Sequence, residues 1–176
     1  MRVTISTFTM SVVVGFIATF ALSIPAWSQQ SVATTPWTKI CTDEKNAASC
    51  SIVLHSYFMK KVGGKEQKAG RILQATIKYI KVAKKRVPVM SLQLPLGVNL
   101  QAGAVVRIDK NKEFNIPYLQ CRKFGCDVSI EINAQLLASL KKGRNMVVGF
   151  VAYGNTKTNL LRVSLKGFTK IFKQLK

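Results

Sequence analysis

Four cysteines carry the most reactive side chains in this sequence: Cys41, Cys50, Cys121 and Cys126. The last two enclose four residues in the stretch CRKFGC, and such a pair could serve a metal site, a redox reaction or a disulfide. Zinc sites combine closely spaced Cys or His pairs, and this chain has a single histidine to complete one. Redox motifs separate two cysteines by two residues at the start of a helix, whereas Cys126 begins a strand-like run. We therefore expect neither zinc nor thiol redox chemistry.

The other catalytic residue types are few and poorly placed. His55 lies in a strand-like run on the face opposite to the apolar side chains, and nothing in the sequence places a carboxylate to orient it as in a catalytic triad. Asp127 and Glu131 lie roughly 13 Å apart along one strand face, whereas glycosidase carboxylates lie roughly 5–10 Å apart. Residues 43–44 form an acidic pair between the first two cysteines. The sequence lacks glycine-rich nucleotide motifs and the nucleophile elbow. We expect no enzyme, no cofactor and no metal.

The N-terminal segment has the organisation of a secretory signal peptide. Arg2 precedes an apolar run at residues 12–22, and the small residues Ala26 and Ser28 follow it with the spacing of a cleavage site. The run is short for a membrane span of about 20 apolar residues, and no basic stop-transfer cluster follows it. We predict a signal peptide at residues 1–28 and export to the periplasm or the outer membrane, with the cell surface or secretion as further destinations.

Export determines how the cysteines behave, because thiols outside the cytoplasm are oxidised. Their even number favours two disulfides, although four cysteines allow three pairings. Short separations favour the two local pairs, Cys41–Cys50 and Cys121–Cys126. Loops this short contribute about 2–3 kcal/mol each in the chain-entropy model. The second pair would close a hairpin whose tip, residues 122–124, is held in solvent.

The charge balance is extreme, with 27 Lys and Arg against 7 Asp and Glu and a formal net charge of +20. Such a field attracts polyanions, including phosphorylated lipid headgroups, acidic glycans and nucleic acid. The basic clusters lack the interleaved exposed aromatic residues of single-strand binders, and export also argues against nucleic acid. We expect an acidic envelope or host-surface partner, such as a lipid headgroup, a glycan or a protein, and peripheral membrane association.

The basic residues fall into clusters at 60–65 and 78–86, which we expect along exposed strand edges, where lysine discourages edge-to-edge pairing. The same clusters could also provide an adhesive face. The candidate partner-binding residues combine the second cluster with the tip of the predicted hairpin: Lys78, Lys81, Lys84, Lys85, Arg86, Arg122, Lys123 and Phe124.

Alternation of apolar and polar residues dominates the chain after the signal peptide. It is clearest at residues 73–79, 90–94, 126–132 and 161–165, with less regular runs at 51–59, 104–108, 114–120 and 147–153. This pattern predicts an all-β protein, an antiparallel β-sandwich-like single domain over residues 37–176. Residues 29–36 are small and polar without a period, and we expect a flexible lead there.

Two segments have helical periodicity instead. Residues 133–142 begin with a candidate N-cap, Asn133, carry leucines at helical spacing and stop at Gly143. Residues 167–175 place apolar side chains at i, i+3, i+4 and i+7, which is typical of an amphipathic helix. We expect two short helices, the second docked by its apolar face on the core of the domain.

Several motifs occur in a distinctive order along the chain. They are a Pro-Leu-Gly-x-x-Leu-x-x-Gly turn at 95–103, a Pro-Tyr-x-x-Cys-x4-Cys unit at 117–126 and a Ser-Leu-x-Gly-Phe motif near the C-terminus at 164–168. Together with Trp37, just before the first cysteine pair, they resemble the invasion-associated locus B family of exported proteins of Gram-negative bacteria. The similarity extends from Trp37 to Leu175.

The resemblance implies a β-sandwich-like, periplasmic or outer-membrane-associated protein, linked in host-adapted bacteria to invasion of red blood cells or other host cells. It implies no enzymatic activity and no cofactor, and its matched residues have structural roles. We therefore expect an exported, non-catalytic envelope protein that supports host-cell invasion by binding an envelope or host-surface component. The alternative is a general periplasmic protein of envelope maintenance or stress without host contact. A third hypothesis, an enzyme with a site built from loops, predicts a deep polar pocket near His55, Asp127 or Glu131.

Overall fold

The computed structural model describes residues 31–175, so the predicted signal peptide lies outside the described residues. The strands are β1 (Val32–Thr34), β2 (Thr38–Cys41), β3 (Cys50–Val62), β4 (Lys65–Val82), β5 (Lys85–Leu94), β6 (Ala104–Ile108), β7 (Phe114–Ile116), β8 (Tyr118–Arg122), β9 (Gly125–Glu131), β10 (Asn145–Val151) and β11 (Thr158–Ser164). The helices are α1 (Ala134–Lys142) and α2 (Phe168–Phe172), and short 3-10 helices span Ala47–Ser49 and Lys173–Leu175.

The strands form two antiparallel sheets. Sheet I has the order β1-β3-β4-β5-β9-β8, with β2 also paired to β3, and sheet II has the order β11-β10-β6-β7. Side chains from both sheets share one buried core, because alternate residues of each strand point to the same face. The predicted all-β sandwich with two short helices is confirmed.

The alternation identified in the sequence corresponds to this core. In β5 and β9, the residues Met90, Leu92, Leu94, Cys126 and Val128 are all almost completely buried. They lie opposite one another in the ladder, with Met90 paired to Ile130, Leu92 to Val128 and Leu94 to Cys126. The polar residues between them are partly exposed and point to the opposite, outer face of sheet I.

Two expectations about strands are corrected. Residues 29–36 were expected to be a flexible lead, but Val32–Thr34 forms β1 against the long edge of β3. Three residues are too few to show a period in the sequence. The strand forms because its backbone groups pair with hydrogen-bonding groups of β3. The expected strand at 114–120 is two strands: β7 pairs in sheet II and β8 in sheet I. The break falls at Pro117, which has no N–H to donate to a ladder.

Helix α1 has the predicted N-cap, and the glycine at its end serves close packing rather than a left-handed backbone. The Asn133 side chain accepts a hydrogen bond from the Leu136 N–H at 2.8 Å. Gly143 has φ −70°, so it is not needed for a left-handed backbone. A Cβ at Gly143 would instead lie 2.7 Å from Ile108 Cγ2 and 2.8 Å from the Ser139 carbonyl oxygen. The glycine therefore permits the close approach of the helix end to sheet II.

The C-terminal segment closes one end of the sandwich. Phe168 and Phe172 of α2 are buried, and their rings stack with centroids 5.5 Å apart. Trp37 meets Phe168 edge-on at 5.4 Å and donates its indole N–H to the Ser164 carbonyl at 3.1 Å. The predicted amphipathic helix is confirmed as a short helix followed by a 3-10 turn, and it docks on the core of the domain.

The turn after β6 depends on a carboxylate that binds backbone N–H groups. Asp109 has φ 48°, which L-residues other than Asn, Asp and His adopt rarely. Its side chain accepts hydrogen bonds from the N–H of Arg144 at 2.9 Å and of Asn145 at 2.8 Å. These bonds, first that from Arg144, hold the pKa of Asp109 below its ordinary value, with a smaller contribution from the Arg144 charge.

We predict that Asp109 makes part of the stability depend on pH. A lowered pKa in the folded state stabilises the fold above the unfolded pKa of about 4, and this contribution is lost as the pH falls through the folded pKa. Asp109→Asn should therefore be less stable than the wild type at neutral pH. It should also lose less stability on acidification. Urea unfolding at a series of pH values measures both; parallel pH profiles for the two proteins would contradict the prediction.

Candidate functional site

Strand β5 defines the two ends of sheet I. Its first residue, Lys85, pairs with Val82 beside the β4–β5 turn, and its last residue, Leu94, pairs with Cys126 beside the β8–β9 turn. A strand of 10 residues is about 30 Å long, so these two turns lie at opposite ends of the sheet. We call the end with the β4–β5 turn the basic end and the end with the β8–β9 turn the loop end.

The eight predicted binding residues divide between these ends and do not form one surface. The basic end holds Lys78, Lys81, Lys84, Lys85 and Arg86. The loop end holds Arg122, Lys123 and Phe124. Sequence alone did not separate them, because the direction in which each hairpin points depends on strand order.

The basic end is a two-stranded ribbon that extends past its neighbours. Strand β3 pairs with β4 only as far as Lys78, and β9 pairs with β5 only from Val89 onward. The lysines of the ribbon therefore lie along two exposed strand edges, as the sequence predicted. The segment 78–86 contains no acidic residue, so no negative charge within it offsets its five cations.

An aromatic contact joins the ribbon to the C-terminal segment. Arg86 and Lys81 are paired across the ribbon, on the same face as Tyr79. The Arg86 guanidinium lies 5.2 Å from the Tyr79 ring centroid, and that ring lies 6.0 Å from the ring of Phe172. On the far side, Lys141 Nζ lies 5.6 Å from the Phe172 centroid. Cations from β5 and α1 thus flank one aromatic pair, and each is within range of a cation–π contact.

The cations of the basic end have no carboxylate partners within residues 31–175. In that range, ion pairs join only Arg107 to Glu113 at 4.0 Å and Arg122 to Asp127 at 3.1 Å. The basic end therefore presents exposed and uncompensated positive charge, which is the arrangement that attracts a polyanion.

The β8–β9 hairpin at the loop end is rigidly closed. Both predicted disulfides are present, Cys41–Cys50 and Cys121–Cys126, and each joins residues that face each other across a ladder. Gly125 has φ 146°, and a Cβ there would overlap the Leu94 carbonyl oxygen, so only glycine fits. Phe124 is 73% exposed at the tip, with Lys123 Nζ 5.6 Å from its ring centroid.

Removing the Cys121–Cys126 disulfide should destabilise the protein without unfolding it. The bond closes a loop with a sequence separation of 5, and a loop this short contributes about 2 kcal/mol in the chain-entropy model. We expect Cys121→Ala with Cys126→Ala to lower the free energy of unfolding by about that amount in urea titrations. The double alanine variant of Cys41 and Cys50 is the matched control and should lose slightly more. Unchanged stability in both variants would contradict the prediction.

A row of hydrogen-bonded side chains crosses the outer face of sheet I. On β3, His55 Nε2 lies 3.2 Å from Gln74 Oε1 of β4. Arg71 donates to Gln74 Oε1 at 2.7 Å and to Gln93 Oε1 of β5 at 2.6 Å. From there the row continues through Gln93 Nε2 to Asp127 of β9 at 3.0 Å.

This row explains where the sequence candidates for catalysis lie. His55 contacts an amide rather than a carboxylate, so it lacks the orienting partner of a triad. Asp127 is engaged by Gln93 and by Arg122, which ends the row on β8. Glu131 lies four residues further along β9, opposite Val89. Sequence reasoning missed the row, because Arg71 and Gln93 become neighbours only through strand register.

A cleft of about 710 Å³ opens between the β6–β7 loop, the end of β9 and α1. Its lining includes Glu113 and Glu131 but neither His55 nor Asp127. Several of its polar groups have internal partners: Glu113 pairs with Arg107, and the Asn111 side chain donates to Ser139 Oγ at 3.3 Å. The cleft lies beside Glu131, where the hypothesis of a loop-built enzyme expects a pocket, and its lining holds neither histidine nor cysteine.

Other chemistry is sparse in the part of the chain that the structure describes. No group of three or more His, Cys, Asp or Glu side chains there is arranged to hold a metal ion. Burial raises the pKa of Tyr118 to about 12, so its hydroxyl stays protonated. No helix within residues 31–175 is both long and apolar enough to span a membrane.

The two cross-strand disulfides and the sandwich define a class of small, exported, disulfide-bonded β-proteins. Residues 37–176 match the family described as Invasion associated locus B (IalB) protein, and the chain belongs to that family. The predicted resemblance is confirmed.

Curated relatives and a solved structure agree with this assignment. Invasion protein B homologs of two Brucella abortus strains, 2308 and biovar 1 strain 9-941, are each 28% identical over 153 residues, covering 86% of this chain and 83% of theirs. The crystal structure of invasion associated protein B from Bartonella henselae matches with a TM-score of 0.58 and 19% identity, covering 81% of this chain and 95% of that one. At that identity the structural match shows a shared fold.

Proposed function

We propose that this protein acts at the bacterial envelope and contributes to invasion of host cells, including erythrocytes, by binding an acidic component through its basic end. The proposed partner is a phosphorylated lipid headgroup, an acidic glycan or an acidic protein surface. Family membership supports the link to invasion, and the names of the Brucella relatives point the same way. The observation that carries the binding proposal is the ribbon of residues 78–86, where five cations have no carboxylate partner within the described residues.

The positive charge of the basic end would contribute both to the affinity for an anionic partner and to the rate of encounter with it. Each Lys or Arg close to an anionic surface contributes about 1 kcal/mol at physiological ionic strength. A concentrated positive field also raises the rate of encounter with an anionic partner. The ribbon is anchored through Tyr79 to Phe172 of the core, so its cations bind without ordering a free loop.

The geometry supports binding rather than catalysis. His55 is held by Gln74, Asp127 is engaged by Gln93 and Arg122, and Glu113 of the cleft lies beside Arg107. These side chains are occupied in structural contacts. We therefore propose a protein without enzymatic activity or cofactor.

The proposed binding should depend strongly on salt. Titration of the protein with heparin, an acidic glycan probe, should show affinity falling steeply as NaCl rises from about 50 to 300 mM, because the screening length falls from about 14 Å to about 6 Å over this range. Heparin affinity that does not change with salt would contradict an electrostatic site at the basic end.

A further inference from the structure

We propose that the loop end is a membrane-docking surface, which binds the headgroup region of an anionic phospholipid bilayer. This goes beyond the proposed function, because it involves the opposite end of the molecule and apolar insertion rather than charge alone. The surface consists of three connections: residues 95–103, 122–125 and 152–157.

Backbone contacts place these three connections side by side. The Tyr153 N–H donates to the Gly97 carbonyl at 2.7 Å, and the Asn99 N–H donates to the Val151 carbonyl at 2.7 Å. The connection at residues 122–125 joins them where Gly125 packs directly on the Leu94 carbonyl, one residue before the connection at 95–103 begins. They therefore form one continuous end of the sandwich.

Large apolar side chains protrude from this end. Leu96 is 58% exposed, Leu100 55%, Phe124 73% and Tyr153 83%. Exposed apolar residues scattered singly are ordinary, but a group at one site marks an interaction surface. Here four of them lie on three short connections that touch one another. Contact of these apolar side chains with water costs free energy, and that cost is removed when the side chains enter an apolar medium.

The charges of the three connections match an anionic bilayer. They contain Arg122, Lys123 and Lys157 and no acidic residue. Arg122 is compensated by Asp127, which leaves the two lysines to meet lipid phosphates. Lysine beside aromatic and leucine side chains is the combination that suits a bilayer interface, where rings lie at headgroup level and cations bind phosphate. The complementary partner is thus an anionic lipid surface rather than a second basic copy of this chain.

The protruding side chains are held in place before any membrane is met. The Cys121–Cys126 disulfide and the fit of Gly125 fix the tip that carries Phe124. Asn99 Oδ1 accepts from the Gln101 N–H at 3.1 Å, and Asn155 Oδ1 accepts from the Lys157 N–H at 3.0 Å. Preorganised loops lose little conformational entropy on docking, so more of the apolar transfer free energy appears as affinity.

Vesicle partition tests this proposal separately from the basic end. Phosphatidylcholine vesicles with about 30 mol% phosphatidylglycerol supply the anionic surface, and about 0.5 M NaCl screens the contribution of charge. Replacing Phe124 and Tyr153 with serine should lower partition at least about tenfold, equivalent to about 1.4 kcal/mol. The matched control replaces Leu119 and Leu160 with serine; these side chains are 65% and 63% exposed on strands β8 and β11 rather than on the three connections, and the control should partition like the wild type.

Fluorescence identifies insertion directly. In Phe124→Trp, vesicles should shift the emission to shorter wavelength, because the indole leaves water; Trp37 is buried and should not respond. Heparin affinity should be the same in the wild type, the serine variants and the controls. Three results would overturn the proposal: unchanged partition of the loop-end variant, no emission shift, or a concentration-dependent dimer that the loop-end variant abolishes. Failure of the wild-type protein to bind heparin, with vesicle partition intact, would instead contradict the proposed function alone.

Discussion

Phe168→Ala should lower the free energy of unfolding by about 3–5 kcal/mol, the usual range for removing a fully buried phenylalanine. Phe168 has no exposed surface, and it packs between Trp37 and Phe172 with ring centroids 5.4 and 5.5 Å away. Truncation would leave a cavity at the point where α2 closes the sandwich. Because stability of a domain this size is about 5–15 kcal/mol, the loss is a large fraction of the total.

Phe124→Ala provides the matched control for this prediction. It removes the same ring from a side chain that is 73% exposed, and surface substitutions of this kind usually change stability by about 0.5 kcal/mol or less. Urea unfolding followed by Trp37 fluorescence measures both variants, and the slope of the transition checks that each unfolds in one step. Equal losses in the two variants would contradict the assignment of Phe168 to the core.

The second large effect concerns binding at the basic end. Replacing Lys81, Lys84, Lys85 and Arg86 with glutamine should weaken heparin binding about a thousandfold. Four charges at about 1 kcal/mol each amount to about 4 kcal/mol, and each 1.4 kcal/mol is about tenfold in affinity. The slope of affinity against salt should fall as well, because fewer counterions are displaced on binding.

A second variant separates position from net charge. Replacing Lys60, Lys61, Lys65 and Lys68 with glutamine removes the same charge from the β3–β4 hairpin, which points toward the loop end. These lysines lie more than a screening length from the basic end, so heparin affinity should fall by no more than about tenfold. If both variants lose affinity equally, overall charge rather than the basic end is responsible.

Much of the fold could be predicted because the alternation of apolar and polar residues that marks each strand is a local property of the sequence. The alternation from Cys126 to Ile132 matches β9 on the correct face, and Asn133 caps the helix that follows. The short separation of the cysteines matches cross-strand disulfides, since residues close in sequence on a hairpin face each other. Family motifs such as the 117–126 unit extend this local information to the architecture.

The arrangement of the sites could not be predicted, because it depends on register between strands. Arg71 reaches Gln93 because the β4–β5 register places Gln93 opposite Gln74, three residues from Arg71. Two register shifts in the β3–β4 ladder, beside Tyr57 and Met59, also have no signature in the sequence. The separation of Lys81 from Phe124 is of the same kind, since it follows from strand direction.

Restoration of invasion in a deletion strain tests the central claim most directly. The strain would receive the wild-type gene, the variant with Lys81, Lys84, Lys85 and Arg86 changed to glutamine, or the variant with Lys60, Lys61, Lys65 and Lys68 changed. Host-cell invasion and envelope integrity in broth would be measured side by side. We expect the wild type and the β3–β4 variant to restore invasion, and the basic-end variant to fail while the envelope stays intact. Full restoration of invasion by the basic-end variant, or a deletion that weakens the envelope but leaves invasion normal, would contradict the account.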